Sequence, residues 1–387
     1  MMTAQTFASK NLDIEVLRAC AITITVVAHL GVLHPSWYSW SNYFWLGGGV
    51  DLFFAISGLL ITGTLLKACS QGASFCAIAG PFWVRRIFRL WPAALFWSSL
   101  TLGITYSVPL SETFAPATAV FDSWLYGALN LQNIHIWLVG SSGAPPTPLW
   151  HYWSLSLEEQ FYVLLPIALA LISNKKLLIL PALALALLQS FHLRPWGSLL
   201  WFIRSDALLY GVIIALLWHH YGARLMSIFT AVNRATLSAV FLLSLPLPVV
   251  LAQPTWFKYY MGFVALSASW AVLVASANLN LSGQARRLQR IALYVGARSY
   301  SIYLVHNPVL AFTREAFLAR GTIDLTSSTA QCVSLLIALS VTLLLADLSY
   351  RMIETPLRTY GTALSRAMAH RPSPNSNSAG PQLGNHR

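Results

Sequence analysis

Charged residues are scarce in this chain of 387 residues, since Asp, Glu, Lys and Arg together make up only 9%. A soluble globular domain carries about 25% charged residues, so the composition excludes an ordinary soluble enzyme as well as a disordered or fibrous protein. Hydrophobic residues amount instead to 56% of the chain and aromatic residues to 13%. This composition predicts a membrane protein with several spanning helices.

Cysteine is also scarce, and the four cysteines show neither a disulfide framework nor the spacing of a zinc site. Cys20 and Cys332 fall in apolar runs, whereas Cys69 and Cys76 lie in one short polar loop without paired metal-ligand spacing. We therefore expect no bound metal and no bound cofactor. The first apolar run begins with charged residues and is too long for the core of a cleavable signal peptide, so we expect none.

Ten apolar runs have about the length that a membrane-spanning helix needs, roughly 20 residues. They cover residues 12–33, 46–67, 88–108, 153–172, 177–192, 200–219, 235–252, 257–276, 293–317 and 331–352. A further apolar stretch, 117–139, carries several polar residues, and we interpret it as interfacial or re-entrant. The predicted fold class is all-α, a polytopic transmembrane helix bundle of about ten spanning helices.

The distribution of basic residues predicts how the chain is oriented. With the N-terminus in the cytoplasm, Lys and Arg concentrate in the inner loops, and residues 109–157 contain neither, which agrees with the positive-inside rule. Arg194, Lys258 and Arg320 are isolated exceptions on the outer side. We expect a multi-pass protein of the cell inner (plasma) membrane with both termini cytoplasmic. The net charge of +12 then reflects topology, and no nucleic-acid partner is expected.

The chain divides into two predicted parts. Residues 1–358 form one transmembrane domain, and no internal repeat is visible in it. Residues 359–387 are rich in Pro, Ser, Asn and Gly, a composition that predicts a disordered cytoplasmic tail.

Arg18 and His29 are the first candidates for function, because ionisable groups inside a bilayer are costly and often functional. They are eleven residues apart, close to three helical turns, so they share one face of the first span at a separation of roughly 16 Å. In the alternative interpretation, Arg18 only anchors the interface beside Glu15, and His29 is a packing residue.

Two further charged clusters lie at the ends of predicted spans. Arg85, Arg86 and Arg89 meet at one helix end through i,i+3 and i,i+4 spacing, where guanidinium groups can bind phosphate. Positive-inside topology alone explains most clusters of this kind. Glu158 and Glu159 begin the fourth span, where they either bind an acceptor or orient a catalytic group, or serve as charges at a helix N-terminus. The remaining polar candidates, for acceptor binding or for contacts between helices, are Asp51, Ser57, Arg204, Asp206, Tyr300, His306 and Glu354.

Seven sequence blocks, in this order, resemble the acyltransferase-3 family of integral-membrane O-acyltransferases. The first is an Arg and a His separated by ten residues, here Arg18 and His29, and the third contains an Arg-x-x-Arg motif at Arg86 and Arg89. The resemblance covers approximately residues 11–358. The other blocks, with the third in full, are GVDLFFAISGLLIT (49–62), RRIFRLWP (85–92), WSLSLEEQFYVLLP (153–166), RSDALLYG (204–211), SYSIYLVHNP (299–308) and IETPLR (353–358).

The resemblance implies an acyl-CoA donor, with acetyl-CoA favoured, on the cytoplasmic side, and a carbohydrate acceptor, such as a polysaccharide, on the other. It implies donor binding by Arg18, Arg85, Arg86 and Arg89. His29 is then the predicted general base, since an unperturbed imidazole pKa of about 6.5 suits this task. A covalent acyl-histidine route stays open.

Two carboxylates, Glu159 and Asp206, are the candidates to orient His29, and Glu159 is included in the predicted catalytic set. The expected partners are acyl-CoA, the carbohydrate and the lipid bilayer, while the oligomeric state stays open. A competing hypothesis is a proton-coupled transporter of a glycosylated or hydrophobic molecule. The lack of visible repeats disfavours it.

Overall fold

The structure is a computed structural model in which the described residues are 11–42, 46–70, 75–108, 110–111, 114–140, 146–250, 259–319 and 327–369. All regular secondary structure in this part of the chain is helical, which confirms the predicted all-α class. The first half contains α1 (Leu12–Ala28), α2 (Leu30–Leu33), α3 (Gly48–Cys69), α4 (Phe75–Ser107), α5 (Ala117–Ala128), α6 (Gln132–Gly140), α7 (Tyr152–Leu171), α8 (Ile179–Ser190) and α9 (Leu199–Phe202).

The second half continues in the same all-helical manner. A π-helical turn, Tyr350–Glu354, joins the last two helices, and 3₁₀ turns cover Pro35–Asn42, Lys175–Leu178 and Leu281–Ala285. The helices are α10 (Asp206–Ala231), α11 (Arg234–Ser244), α12 (Leu247–Val250), α13 (Tyr260–Ser276), α14 (Arg286–Ala297), α15 (Ser299–Leu318), α16 (Ser328–Ser349) and α17 (Thr355–Ala369).

Six helical stretches in the described residues are long and apolar enough to cross a membrane. They support a multi-pass membrane protein, but the predicted number of ten spans stays a prediction, as does the cytoplasmic position of both termini. The six stretches are Leu12–Leu33, Gly48–Cys69, Ala77–Ser107, Tyr152–Leu171, Asp206–Ala231 and Ser328–Met368.

The four other predicted spans fall on helices that are shorter or more polar. The span 177–192 coincides with α8, which has only 12 residues, and 235–252 is divided between α11 and α12. The span 257–276 corresponds to α13, with 17 residues. The span 293–317 corresponds mainly to α15, which has 20 residues and carries Arg314 and Glu315 near its end.

The stretch 117–139 forms two short helices, α5 and α6, with a turn at Asn130, whose φ is 56°. Asparagine tolerates this left-handed conformation better than most residues. Helix α5 has 12 residues and α6 has nine. Since a helix needs roughly 20 residues to cross a bilayer, neither is long enough to be a span by itself, and the interfacial or re-entrant position stays a prediction.

The predicted boundary of a disordered tail at residue 359 is wrong. Helix α17 continues through that position to Ala369 and packs on α4, where Gly361 lies against the Phe88 side chain. The helix is polar overall, and its face with Gly361 and Ser365 is buried against α4, whereas the side chains of Tyr360, Leu364 and Met368 are exposed. The rest of the predicted tail, 370–387, lies outside the described residues.

Helix α1 begins at a side-chain cap and breaks at His29. The Asn11 side chain accepts hydrogen bonds from the amides of Asp13 and Ile14, at 3.0 and 3.2 Å, a common N-terminal cap. At the other end His29 leaves helical geometry, with φ −95° and ψ 0°, before the short helix α2 starts. The predicted span 12–33 is therefore confirmed as one apolar helical stretch, Leu12–Leu33, with a local break at His29.

Helix α3 runs through the centre of the bundle and approaches its neighbours closely at glycines. A Cβ atom at Gly58 would lie 2.2 Å from the Leu208 carbonyl oxygen of α10, and one at Gly211 would lie 2.3 Å from that of Ala55. Gly49 makes a similar approach to Ala21 of α1. Small residues of this kind let helix backbones meet in membrane proteins, and here they set the spacing of the helices around the site.

We expect Gly58→Ala to lower the free energy of unfolding by roughly 1–3 kcal/mol, because the added methyl group has no room against α10. The measurement is thermal or denaturant unfolding of the purified protein in detergent. Gly103→Ala on α4 is the matched control, since a Cβ atom there meets nothing within 4 Å. Equal stability of the two variants would contradict the close crossing of α3 and α10.

Candidate functional site

A cavity of about 760 Å³, part of it open to solvent, lies between α1, α3, α4, α7 and α15. Its wall is apolar along much of α3, where Ser57 is polar, and the other helices contribute the remaining polar groups. It brings together residues that are far apart in sequence and that were predicted to form separate clusters. The polar lining includes Arg18, Ser57, Arg86, Arg89, Glu158 and Tyr303.

The arginines lie at one end of this cavity. A second cavity of about 580 Å³ shares Arg18 and Arg89 with the first, and adds Glu354 and Arg358. Arg18 pairs with Glu15 at 3.4 Å, but the Nε atoms of Arg18 and Arg89 are buried and have no hydrogen-bond partner among the described residues. Three arginines and two glutamates line the second cavity, so this end carries more positive charge than its carboxylates neutralise.

Arg86 and Arg85 occupy different places although they are adjacent in sequence. The guanidinium of Arg86 lies over the Tyr162 ring, 5.2 Å from its centroid, and Arg86 lines the first cavity. Arg85 turns to α17, where it donates a hydrogen bond to the Ser365 hydroxyl at 3.3 Å, and it lines neither of these two cavities. The structure thus separates Arg85 from the other arginines predicted to bind a donor.

The paired carboxylates of α7 also have different surroundings. Glu158 accepts hydrogen bonds from the Ser57 and Tyr162 hydroxyls at the cavity wall. Glu159 is buried and accepts a hydrogen bond from the Trp91 indole at 3.3 Å, while its Oε1 atom has no partner among the described residues. Glu159 lines a smaller adjoining cavity that shares Leu90, Leu155 and Tyr300 with the first.

The opposite end of the main cavity is closed by a pair of hydroxyl groups. Tyr303 and Ser154 line it there, and their hydroxyls are 2.7 Å apart. The Tyr303 hydroxyl also donates to the carbonyl oxygen of His151. His151 and His306 pack directly against Tyr303, with ring centroids 5.2 and 5.7 Å from its ring. The cavity therefore runs from the arginines to Tyr303 and Ser154, and a group of histidines packs directly behind Tyr303 without lining the cavity.

His29 belongs to this histidine group and has a defined orientation. Its Nδ1 atom lies 2.8 Å from the Thr25 carbonyl oxygen and 3.4 Å from Nε2 of His306. A carbonyl oxygen only accepts hydrogen bonds, so we assign the proton of the neutral ring to Nδ1. The free electron pair is then on Nε2, and the residue as a whole is half-buried.

Neither carboxylate proposed to orient His29 does so. Glu159 hydrogen-bonds Trp91, and Asp206 forms an ion pair with Arg194, with Nη2 and Oδ2 2.7 Å apart. Within the described ranges, no carboxylate hydrogen-bonds the His29 ring. The prediction of an orienting Glu159 or Asp206 is therefore wrong, because their faces of α7 and α10 pack against other helices.

Two buried ion pairs contain three of the other predicted polar residues, Asp51, Arg204 and Asp206. Arg204 holds Asp51 at 3.1 Å, and its guanidinium lies 4.7 Å from the centroid of the Trp153 ring. Arg194, predicted to be an isolated outer base, binds both carboxylate oxygens of Asp206. These pairs join α3 and the segment before α10 to the bundle, which is a structural role. Lys258 and Arg320 lie outside the described residues.

Tyr300, Glu354 and His306 also make contacts between segments of the chain. The Tyr300 hydroxyl donates to the Leu90 carbonyl oxygen at 2.6 Å, and Glu354 accepts from the Ser301 hydroxyl at 3.0 Å.

His151 was not among the predicted site residues, although it stands two residues before the fourth block begins at Trp153. Across the described residues, no group of three or more His, Cys, Asp or Glu side chains is placed to hold a metal ion.

Comparisons with known proteins identify relatives over almost the whole chain. A family model described as an acyltransferase domain matches residues 11–350. O-acetyltransferase OatA from Staphylococcus aureus strains NCTC 8325 / PS 47, COL and MRSA252 is 29% identical over 370 residues, covering 89% of this chain. The chain spans only 57% of the length of these relatives. No solved structure matches.

We expect Arg204→Ala to lower the free energy of unfolding by about 3–5 kcal/mol, because Asp51 would stay buried without its partner. Denaturant unfolding in detergent measures this change. Arg351→Ala is the control and should have a much smaller effect, since 64% of the Arg351 side chain is exposed in its pair with Asp347. If Arg204 has a structural role, the double variant Asp51→Asn/Arg204→Met should be more stable than Arg204→Ala, because it buries no unpaired charge. A double variant no more stable than Arg204→Ala would contradict this role.

Proposed function

The chain belongs to the acyltransferase-3 family, and from this we propose that it is a membrane O-acyltransferase that uses acyl-CoA. The acyl group is acetyl, in line with the name of the relatives, and the acceptor is a hydroxyl group of an extracytoplasmic or lipid-linked carbohydrate. The observation that carries the proposal is the cavity that runs from the arginines to Tyr303, against which the histidine group around His29 packs.

The arginine end supports donor binding. Coenzyme A carries its phosphates at one end and its thioester at the other, and guanidinium groups bind phosphate oxygens in pairs. Arg18, Arg86 and Arg89 provide donors at the cavity wall, and Arg358 adds another in the adjoining cavity. With the phosphates there, the pantetheine arm follows the cavity toward Tyr303 and places the thioester near His29.

We assign the arginine end to the cytoplasmic side. Helix α14 packs on the first turns of α1, where a Cβ atom at Gly296 would lie 2.2 Å from the Glu15 carbonyl oxygen. This helix exposes Arg286, Arg287 and Arg290, and the residue that ends it, Ala297, lines the second cavity together with Arg18 and Arg89. A concentration of exposed arginines is typical of the cytoplasmic face, where acyl-CoA is present.

His29 acts as the general base in this proposal. The acceptor hydroxyl transfers its proton to Nε2 of His29 while its oxygen bonds to the thioester carbonyl carbon. The carbon–sulfur bond then breaks, and protonated His29 returns the proton to the sulfur of coenzyme A. The products are the O-acylated acceptor and free coenzyme A, and the imidazole ends in its starting protonation state.

We expect His29→Ala to lower the transfer rate at least about 100-fold while the protein stays folded, because the reaction loses its base. The assay uses purified protein in nanodiscs, labelled acetyl-CoA and a panel of glycans, with mass spectrometry of the products. His34→Ala is the matched control: His34 is buried five residues further along the chain but hydrogen-bonds Ser334, outside the histidine group. Full activity of His29→Ala would refute the base assignment.

The arginine assignment gives a separate prediction about the donor. Arg86→Ala and Arg89→Ala should raise the KM for acetyl-CoA roughly 10- to 100-fold, through loss of charge-assisted hydrogen bonds to phosphate. For acetyl-pantetheine, which has no phosphate, the KM of the same variants should equal that of the unchanged protein. Arg85→Ala is the control, since Arg85 contacts Ser365. An unchanged KM for acetyl-CoA in both variants would mean that these arginines do not bind the donor and only set the membrane orientation of the chain.

A further inference from the structure

We propose that His306 is the positioning residue of His29: it accepts a hydrogen bond from Nδ1 of His29 and stabilises the positive charge that His29 gains. The inference rests on the proposed function, in which His29 is the base. In this arrangement the imidazole of His306 accepts the hydrogen bond from His29 for which the sequence analysis predicted a carboxylate.

The direction of the hydrogen bond follows from the backbone. His306 is fully buried on α15, and its Nδ1 atom lies 2.7 Å from the Tyr303 carbonyl oxygen and 3.2 Å from that of Ile302. Because both neighbours only accept, the neutral His306 ring carries its proton on Nδ1. Its Nε2 atom therefore has the free electron pair, and this atom is the one that faces Nδ1 of His29 at 3.4 Å.

The His306 ring is held in place by neighbouring rings on two sides. His29 and His151 approach it edge-on, with centroids 5.0 and 5.1 Å away and interplanar angles of 69° and 71°. His151 is itself fixed, since its Nδ1 atom lies 3.0 Å from the Pro148 carbonyl oxygen. The Asn307 side chain donates to the same carbonyl at 2.8 Å. The acceptor atom that His306 offers to His29 is therefore well positioned before any substrate binds.

The expected chemical effect follows from the proton count. When Nε2 of His29 takes the acceptor proton, both nitrogens of that ring carry hydrogen and the ring becomes a cation. The Nδ1–H group then points at the Thr25 carbonyl oxygen and at the electron pair of His306, so both interactions become charge-assisted and stronger. His306 exchanges no proton in this scheme, and it acts by stabilising the charged form and fixing the ring.

Two substitutions of His306 separate this role from packing. In His306→Gln the side-chain oxygen replaces the accepting Nε2 atom but the donor to Tyr303 is lost. In His306→Asn the amide replaces the donating Nδ1 atom but nothing accepts from His29. We expect His306→Asn to lower kcat roughly 10- to 100-fold with little change in the KM for acetyl-CoA, and His306→Gln to keep most of the activity.

A purely structural His306 gives the opposite order. In that case His306→Asn, which keeps the bond to the α15 backbone, should be at least as active and as stable as His306→Gln. Thermal unfolding of both variants shows whether either loses its fold. The matched controls are His34→Asn and His34→Gln, because His34 also uses Nε2 for a buried hydrogen bond, to Ser334 at 2.8 Å. These two should not differ in kcat.

A second measurement needs no turnover. Diethyl pyrocarbonate modifies neutral imidazole at its free nitrogen, and peptide mass spectrometry reports the rate at His29 alone. We expect that rate to fall in His306→Asn and to stay near that of the unchanged protein in His306→Gln. Equal rates in both variants would overturn the inference. A lack of acetyl transfer by the unchanged protein, together with the expected rate difference, would instead refute the proposed function and leave the pairing of His29 with His306 intact.

Discussion

The arrangement of this bundle depends on one constraint, which is that an ionisable side chain removed from water needs a partner. Away from the cavity the constraint is met by closed pairs: Arg194 binds both oxygens of Asp206, and Arg204 holds Asp51 beside a tryptophan ring. At the cavity it is met only in part, since Arg89 has no carboxylate within ion-pair distance among the described residues. Closed pairs hold helices together, whereas an open cation provides a place for the negative charge of a ligand.

The histidine group shows how local backbone geometry prepares side chains for a long-range contact. Each of its three rings directs Nδ1 to a carbonyl oxygen three or four residues earlier in its own segment: Thr25 for His29, Tyr303 for His306 and Pro148 for His151. These bonds assign the tautomers without any carboxylate, and they leave the Nε2 atoms for contacts that helix packing decides. The break of α1 at His29 is part of this arrangement, because the ring stands where the helix is interrupted.

Hydropathy and motif order predicted the membrane class, the central helices and the family, because each is a property of a single segment or of the order of segments. They did not predict the end of α17, where a polar but amphipathic segment finds a partner in α4. Nor did they predict that Arg194, an isolated base in the sequence, is buried in an ion pair with a residue twelve positions away. In both cases the structure depends on which residues become buried, and this depends on residues elsewhere in the chain.

By itself, the sequence determined that this protein is helical, belongs in a membrane and is a member of the acyltransferase-3 family. It also identified Arg18, His29 and the arginines of α4 as a candidate site. Only the tertiary structure decided that His29 meets His306 rather than a carboxylate, and that Arg85 lies apart from Arg86. The reason is that the spacing along a helix sets which side chains share a face, while close crossings at residues such as Gly58 set which faces meet.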